Sequence, residues 1–305
     1  MSESTLPHPE NFCGGAFQDW LEVNLTNKCN ARCSWCIEKL GFHPDHIATW
    51  EQLAQAAIST GKKNIILLGG EPTLYPDIKP LIEKLVANQL KVWVTTNGCR
   101  INPGYCKENF QGIAGVNISI HHFDMRLNHD ITHLYLNTQV LEQGIKTIHE
   151  LGGSIRFNCN TIRGYIDSEN TIREYITFAK TLGADSVRFA ELKVDENNFV
   201  NLTEVLNGKY GLNDDPFING CHKEAIIDGM PVNFRQMCGL QTNCRPAPHN
   251  PKQHSKQVLY YDGKIYAGWQ SSMYKLSDAA LDELLQSVSK GKTSAEEAKR
   301  LLVNF

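Results

Sequence analysis

Three thiols sit on one short stretch, Cys29-Asn-Ala-Arg-Cys33-Ser-Trp-Cys36, directly after the β-rich run WLEVNL (20–25). Thiolates at such close spacing suit soft metals and iron-sulfur clusters. A cubane [4Fe-4S] cluster takes one ligand per iron, so three cysteines leave one iron open to a substrate or cofactor. Zinc is the competing reading. It usually takes four ligands, and no histidine adjoins this loop to complete the set. A second, looser group, Cys221, Cys238 and Cys244, lies further along the chain. Cys13, Cys99, Cys106 and Cys159 are scattered and read as small buried hydrophobes.

The elements that must position these thiols follow from the alternation of the chain. Short β-rich runs, WLEVNL (20–25), NIILL (64–68), KVWVT (91–95), GVNISI (115–120), SIRFNCN (154–160) and SVRFAEL (186–192), are separated by segments of helical periodicity. The last helix of the series has Ser168 as its N-cap and Gly183 just past its end. Six β-then-α units predict a parallel sheet, either an open doubly wound one or a partial barrel. Ligands then bind at the carboxyl ends of the strands.

After about residue 193 the alternation stops. A Gly-, Pro- and Asn-rich stretch runs to about 256 and reads as loop. A hairpin QVLYYDGKIYAGW follows, turning at Asp262-Gly263, and two helices close the chain. The expected division is therefore a barrel over 1–193 and a C-terminal module over 194–305.

Composition limits the function classes. The 305 residues are 41% hydrophobic, enough for a sizeable core, and the net charge of -3 lacks the basic excess of a general nucleic-acid binder. No segment has the apolar length of a membrane span, and the N-terminus has no secretory pattern, so a cytosolic protein without a membrane partner is expected. In a reducing compartment ten cysteines are read for metal or catalysis before disulfides.

CxxxCxxC with an aromatic, Trp35, before its last cysteine resembles the signature of the radical S-adenosylmethionine superfamily. The resemblance spans roughly residues 20–192 and implies a partial (βα)6 TIM-like barrel with a loop-rich C-terminal module. It implies a [4Fe-4S] cluster on Cys29, Cys33 and Cys36, whose open iron chelates S-adenosylmethionine, with Trp35 by the adenine. Reductive cleavage would then yield a 5′-deoxyadenosyl radical that abstracts hydrogen. A reducing partner such as flavodoxin or ferredoxin is implied as well.

Gly69-Gly70-Glu71-Pro72, after the second predicted strand, looks like the family's GGEP motif, which holds the methionine ammonium. Its glycines permit close backbone approach and its proline ends the strand. An ordinary strand-to-helix turn is the alternative. Thr95-Thr96-Asn97-Gly98 resembles a TTNG sequence of some members, where Thr96 and Asn97 would contact cofactor or substrate; a turn supplied by Asn-Gly competes equally. Ser119 matches a serine near the methionine carboxylate. Asn117 shares its strand face.

His121-His122-Phe123-Asp124 departs from the commoner family pattern. These histidines, with Asn158 and Glu191, are the candidates for substrate contact or proton relay. The alternative for the histidines is that one imidazole packs against the next helix while the other is solvated, and for Asn158 and Glu191 that each is a satisfied polar residue of a barrel interior. The run from Arg156 to Gly164 and SVRFAEL look similar to the molybdenum-cofactor GTP cyclase branch and its peptide-modifying cousins.

Cys221, Cys238 and Cys244 stand where several relatives carry an auxiliary cluster of the SPASM or twitch type. A second [4Fe-4S] cluster and zinc with unligated thiols remain open alternatives there. No fourth cysteine follows the hairpin, where Trp269 stands, and the GTP cyclase's arginine-rich run and terminal Gly-Gly are missing. These departures argue against GTP cyclisation itself. The expected substrate is a peptide or small biosynthetic intermediate, with a nucleotide as the alternative. An iron-sulfur electron carrier or metal-stapled binding module is the rival class.

Overall fold

The computed structural model describes residues 19–36, 46–192, 197–213, 222–236 and 257–266. Its frame is a run of six parallel strands: β1 (Trp20–Asn24), β2 (Asn64–Leu68), β3 (Lys91–Thr96), β4 (Gly115–Ser119), β5 (Ser154–Thr161) and β6 (Ser186–Glu191). All six lie within one residue of the runs read from the sequence. Between them come α1 (Trp50–Ser59), α2 (Ile78–Ala87), α3 (Pro103–Asn109), α4 (Met125–Thr132), α5 (Thr138–Glu150) and α6 (Glu169–Thr181).

Local chemistry sets the helix ends. Thr49 opens α1 with a capping box completed by Gln52, and Ser168 opens α6 in the same way with Thr171. Gly183, at φ 87°, takes the left-handed position after α6 that a side chain would disfavour.

Alternation along each strand separates two faces. Leu21, Val23, Ile65, Leu67, Val92, Val94, Phe157, Val187 and Phe189 are buried and join the helices in one continuous core. The intervening positions face the concave side, and many of them are polar: Thr95, Asn117, Arg156, Asn158, Asn160 and Arg188. The sheet is therefore a partial TIM-like barrel with an apolar outer layer and a polar channel.

Four more strands lengthen the sheet. A hairpin of β7 (His222–Ile227) and β8 (Met230–Arg235) adds to β6, with β8 parallel to it. A second hairpin of β9 (Gln257–Leu259) and β10 (Ile265–Tyr266) adds to β1, with β9 parallel. The order is β10-β9-β1-β2-β3-β4-β5-β6-β8-β7, and the sheet is not closed. Asp262-Gly263 makes the predicted turn, Gly263 N–H donating to Tyr260 O at 2.8 Å.

The first hairpin corrects the expectation of loop across 194–256. Asp228-Gly229 forms its turn between alternating segments, a hairpin signal that overall glycine and asparagine content obscures. A one-turn helix α7 (Leu202–Val205) precedes it. The two closing helices expected from sequence lie outside the described residues.

Candidate active site

Hydrogen bonds from four sides hold the cysteine loop at the carboxyl ends of the strands. Leu25 N–H donates to Leu68 O at 2.9 Å, continuing the β1–β2 ladder. Gly70 N–H then donates to Thr26 O at 2.6 Å, and Glu71 N–H to Lys28 O at 2.8 Å. The Asn97 side-chain amide donates to Asn30 Oδ1 at 2.7 Å, and Arg32 N–H donates to Thr132 O at the end of α4 at 2.9 Å.

The glycines of the second motif owe their identity to this contact. A Cβ on Gly70 would stand 2.3 Å from Lys28 O, and one on Gly69 would stand 2.5 Å from Thr26 O. What approaches these glycines in the chain itself is the cysteine loop. The close backbone contact expected for a ligand thus also locks two motifs together.

Glu71 is the hub of that lock. It is 1% exposed. Its Oε1 accepts from Thr73 N–H at 3.0 Å and from the hydroxyls of Thr73 and Thr96, each at 2.6 Å. Its Oε2 accepts from Asn97 N–H at 2.7 Å. Arg100 and Tyr105 brace the same turn by donating to Thr73 O at 3.1 and 3.2 Å. Pro72 is buried at the start of the short 3-10 turn that Glu71 caps.

Asn97-Gly98 is a true turn, with Gly98 at φ 84°, and its asparagine side chain is committed to Asn30. Asn30, which the motif reading passed over, also donates to Cys99 Sγ at 2.8 Å. An amide inside a cysteine motif, beside a strand-end Asn-Gly, was the available signal.

Cys29 is exposed, and Cys33 and Cys36 are partly so. Partial burial raises the Cys29 thiol above its usual range, with the Glu71 carboxylate adding to the effect, so a bound cation is needed to hold the thiolate. Among the described residues no three His, Cys, Asp or Glu side chains close around a single metal ion. A donor set of three spaced thiols fits the larger cubane with one open iron better than mononuclear zinc.

The aromatic of the motif is placed by packing. Trp35 lies edge-on to His121, with centroids 5.5 Å apart, against Ile131, Ile162 and Leu192. His121 is buried, and burial lowers its pKa to about 4, so the ring is neutral at pH 7. Its Nδ1 accepts from Asn160 N–H at 3.1 Å, which puts the ring proton on Nε2.

His122 takes a different part. Its Nδ1 accepts from Asp124 N–H at 2.9 Å as α4 begins, and its ring lies 4.3 Å from that of Phe123. The two histidines diverge, as a pair just past a strand end does.

Ser119 and Asn158 face each other across the β4–β5 ladder on the channel side. Asn117 on the same face donates to Thr95 Oγ1 at 3.0 Å. Glu191 is elsewhere, which corrects the expectation of a channel carboxylate. It shares strand parity with Val187 and Phe189, and its Oε1 accepts from Leu202 N–H at 2.9 Å at the start of α7. Counting by two from the buried valine would have revealed this. Cys221, Cys238 and Cys244 lie outside the described residues.

Comparison with known proteins identifies the family and the fold. The Radical SAM superfamily profile matches residues 23–179. The GTP 3',8-cyclase of Aliarcobacter butzleri is 29% identical over 239 residues, covering 76% of this chain and 68% of that protein. The Aquifex aeolicus GTP 3',8-cyclase is 25% identical over 255 residues, covering 81% and 72%. Streptococcus suis SuiB, crystallised with S-adenosylmethionine, shares the fold at a TM-score of 0.58 and 18% identity; the match covers 88% of this chain and 65% of SuiB. With its cysteine loop, glycine turn and strand ends interlocked, and more than half its length matched, this chain belongs to the radical SAM superfamily and is an enzyme that uses a [4Fe-4S] cluster and S-adenosylmethionine.

Proposed function

We propose that the enzyme cleaves S-adenosylmethionine reductively and takes a hydrogen atom from a small biosynthetic intermediate held in the barrel channel. The carrying observation is the direct clamp between Cys29–Cys36, Gly69–Glu71 and Thr96–Asn97, which makes one rigid unit of three cofactor motifs. When bound, the cluster and S-adenosylmethionine supply a 5′-deoxyadenosyl radical, given one electron from a flavodoxin- or ferredoxin-like donor.

The chain's own residues position and protect. Cys29, Cys33 and Cys36 hold the metal. Glu71 fixes the turn, Thr96 and the Asn97 backbone at once, so the ammonium-binding surface is pre-organised. Neutral His121 seats Trp35 and offers Nε2–H on that side of the site. Ser119 and Asn158 line the channel where cofactor and substrate would meet. At the opposite end, Trp93 covers Gly115 so closely that a Cβ there would stand 2.4 Å from the indole, and Trp20 lies 6.5 Å from the same ring. This aromatic floor favours a small substrate over a threaded peptide. A nucleotide is the second reading, favoured by the GTP 3',8-cyclase relatives.

The test is formation of 5′-deoxyadenosine. Anaerobically reconstituted, reduced enzyme given S-adenosylmethionine should produce it, and Cys33→Ala should abolish it. An intact cluster with no cleavage, even with candidate substrates present, would support an electron carrier instead.

A further inference from the structure

The channel wall carries three arginines in a regular arrangement. Strand register places Arg156 of β5 opposite Ser186, Arg188 of β6 opposite Asn158, and Ala190 opposite Arg235 of β8. Each step from Arg156 to Arg188 to Arg235 moves one strand across and two residues toward the carboxyl ends. All three have the channel-side parity, alternating with the buried Phe157, Val187, Phe189 and Phe234.

Such a diagonal normally costs stability unless the charges are answered. Among the described residues none of the three makes a hydrogen bond or ion pair, and the Nε atoms of Arg156 and Arg188 are enclosed with no partner. Arg156 and Arg235 both press on Arg188 with like charge, and Glu22 is the carboxylate that acts on it in opposition. Burial pulls Arg156 down to about 10 and Arg188 well below its ordinary range. The neighbouring amide oxygens of Asn117, Asn158 and Asn233 are also buried without partners. Buried polar atoms left open together on one wall mark a missing ligand. Planar guanidiniums select an oxyanion, which they can grip bidentately.

We infer that Arg156, Arg188 and Arg235 form an oxyanion subsite that holds a phosphate or carboxylate group of the substrate. This rests on the reading above that the channel receives the substrate. Arg156 is the member furthest from the strand ends where the cofactor motifs lie. The row therefore runs from the channel interior toward the mouth, and suits an extended or multiply charged anion lying along the wall. Ala190, between Asn160 and Arg235 in register, leaves room beside the upper end.

The test is a thermal unfolding measurement on the anaerobically purified full-length enzyme with its cluster. The probes are pyrophosphate and citrate, against sodium chloride at equal ionic strength, each with and without saturating S-adenosylmethionine. One of the two anions should raise Tm by about 5 °C at a hundredfold excess over its Kd. Which one does so distinguishes phosphate from carboxylate. Arg156→Met, Arg188→Met and Arg235→Met should each weaken the anion's apparent affinity about tenfold or more. Arg188→Met should also raise Tm in the absence of anion, because it removes the most crowded charge, and a purely structural arginine predicts a fall.

The inference is overturned if neither anion shifts Tm, if the arginine variants respond as the parent does, or if S-adenosylmethionine abolishes the shift. The last result would assign the arginines to the cofactor's carboxylate. None of these readouts needs radical chemistry, so this inference can fail while 5′-deoxyadenosine formation succeeds, and the reverse.

Discussion

Replacing Glu71 by glutamine probes the lock between the motifs with a change of one heavy atom's identity. The carboxylate accepts four hydrogen bonds, two of them from backbone N–H groups that cannot turn away, those of Thr73 and Asn97. An amide has one oxygen. In one orientation its NH2 opposes Asn97 N–H. In the other it opposes Thr73 N–H, while the Thr73 and Thr96 hydroxyls rotate to accept. Either way one backbone donor, the buried Thr73 N–H or the half-buried Asn97 N–H, loses its acceptor, at a cost of about 1–3 kcal/mol, and the remaining bonds lose their charge assistance, adding about 1 kcal/mol. Glu71→Gln should therefore unfold about 2–4 kcal/mol more easily in anaerobic urea titration. Because Asn97 also holds Asn30, the variant should bind S-adenosylmethionine more weakly at unchanged iron content. A variant equal to the parent in both stability and affinity would refute the hub.

Gly70→Ala should act on the cluster loop itself, since its Cβ must displace the Lys28 backbone; a loss of about 1–3 kcal/mol, with reduced iron per chain after reconstitution, is expected from unfolding curves and metal analysis. Glu191→Gln should keep 5′-deoxyadenosine formation, because the amide oxygen can still accept from Leu202 N–H and hold the start of α7, whereas Glu191→Ala should lose about 1–3 kcal/mol in unfolding curves; loss of activity in a folded glutamine variant would restore a catalytic role. His121 titrates near 4 when folded against 6.5 when exposed, so below pH 6.5 the unfolded chain takes up a proton that the folded chain does not. Stability contributed at this site is complete above pH 6.5 and falls as the pH drops toward 4, by about 3 kcal/mol in all. His121→Gln should flatten that slope in urea titrations of the metal-free chain, and an unchanged slope would count against a buried neutral ring.

Much of this architecture is legible in the sequence because parallel strands under helices alternate plainly. Ile65 and Leu67, or Phe157 and Cys159, are apolar on the helix side, so the six strands emerge with their ends. Capping chemistry at Ser168 and Gly183 is local and equally readable. Long-range relations are not. That Gly70 faces Lys28 backbone, or that Glu71 gathers Thr96 and Asn97, depends on how loops from three strand ends meet. The β7–β8 hairpin was obscured for a different reason: its Asp228-Gly229 turn sits in a stretch whose composition resembles loop, and its parallel pairing with β6 is non-local. Glu191 shows the limit of reading position without parity, since a residue at a strand end can still belong to the outer face. The arginine row escaped notice because its members lie on three strands, and only register aligns them.

The central claim, that Cys29, Cys33 and Cys36 hold a cluster whose open iron receives S-adenosylmethionine, is tested most directly by electron paramagnetic resonance of the dithionite-reduced enzyme. The expected spectrum is a [4Fe-4S]+ signal whose g-values shift when S-adenosylmethionine is added, with the shifting component missing from Cys33→Ala. A reduced cluster whose spectrum is indifferent to S-adenosylmethionine, or one that shifts unchanged in Cys33→Ala, would contradict it.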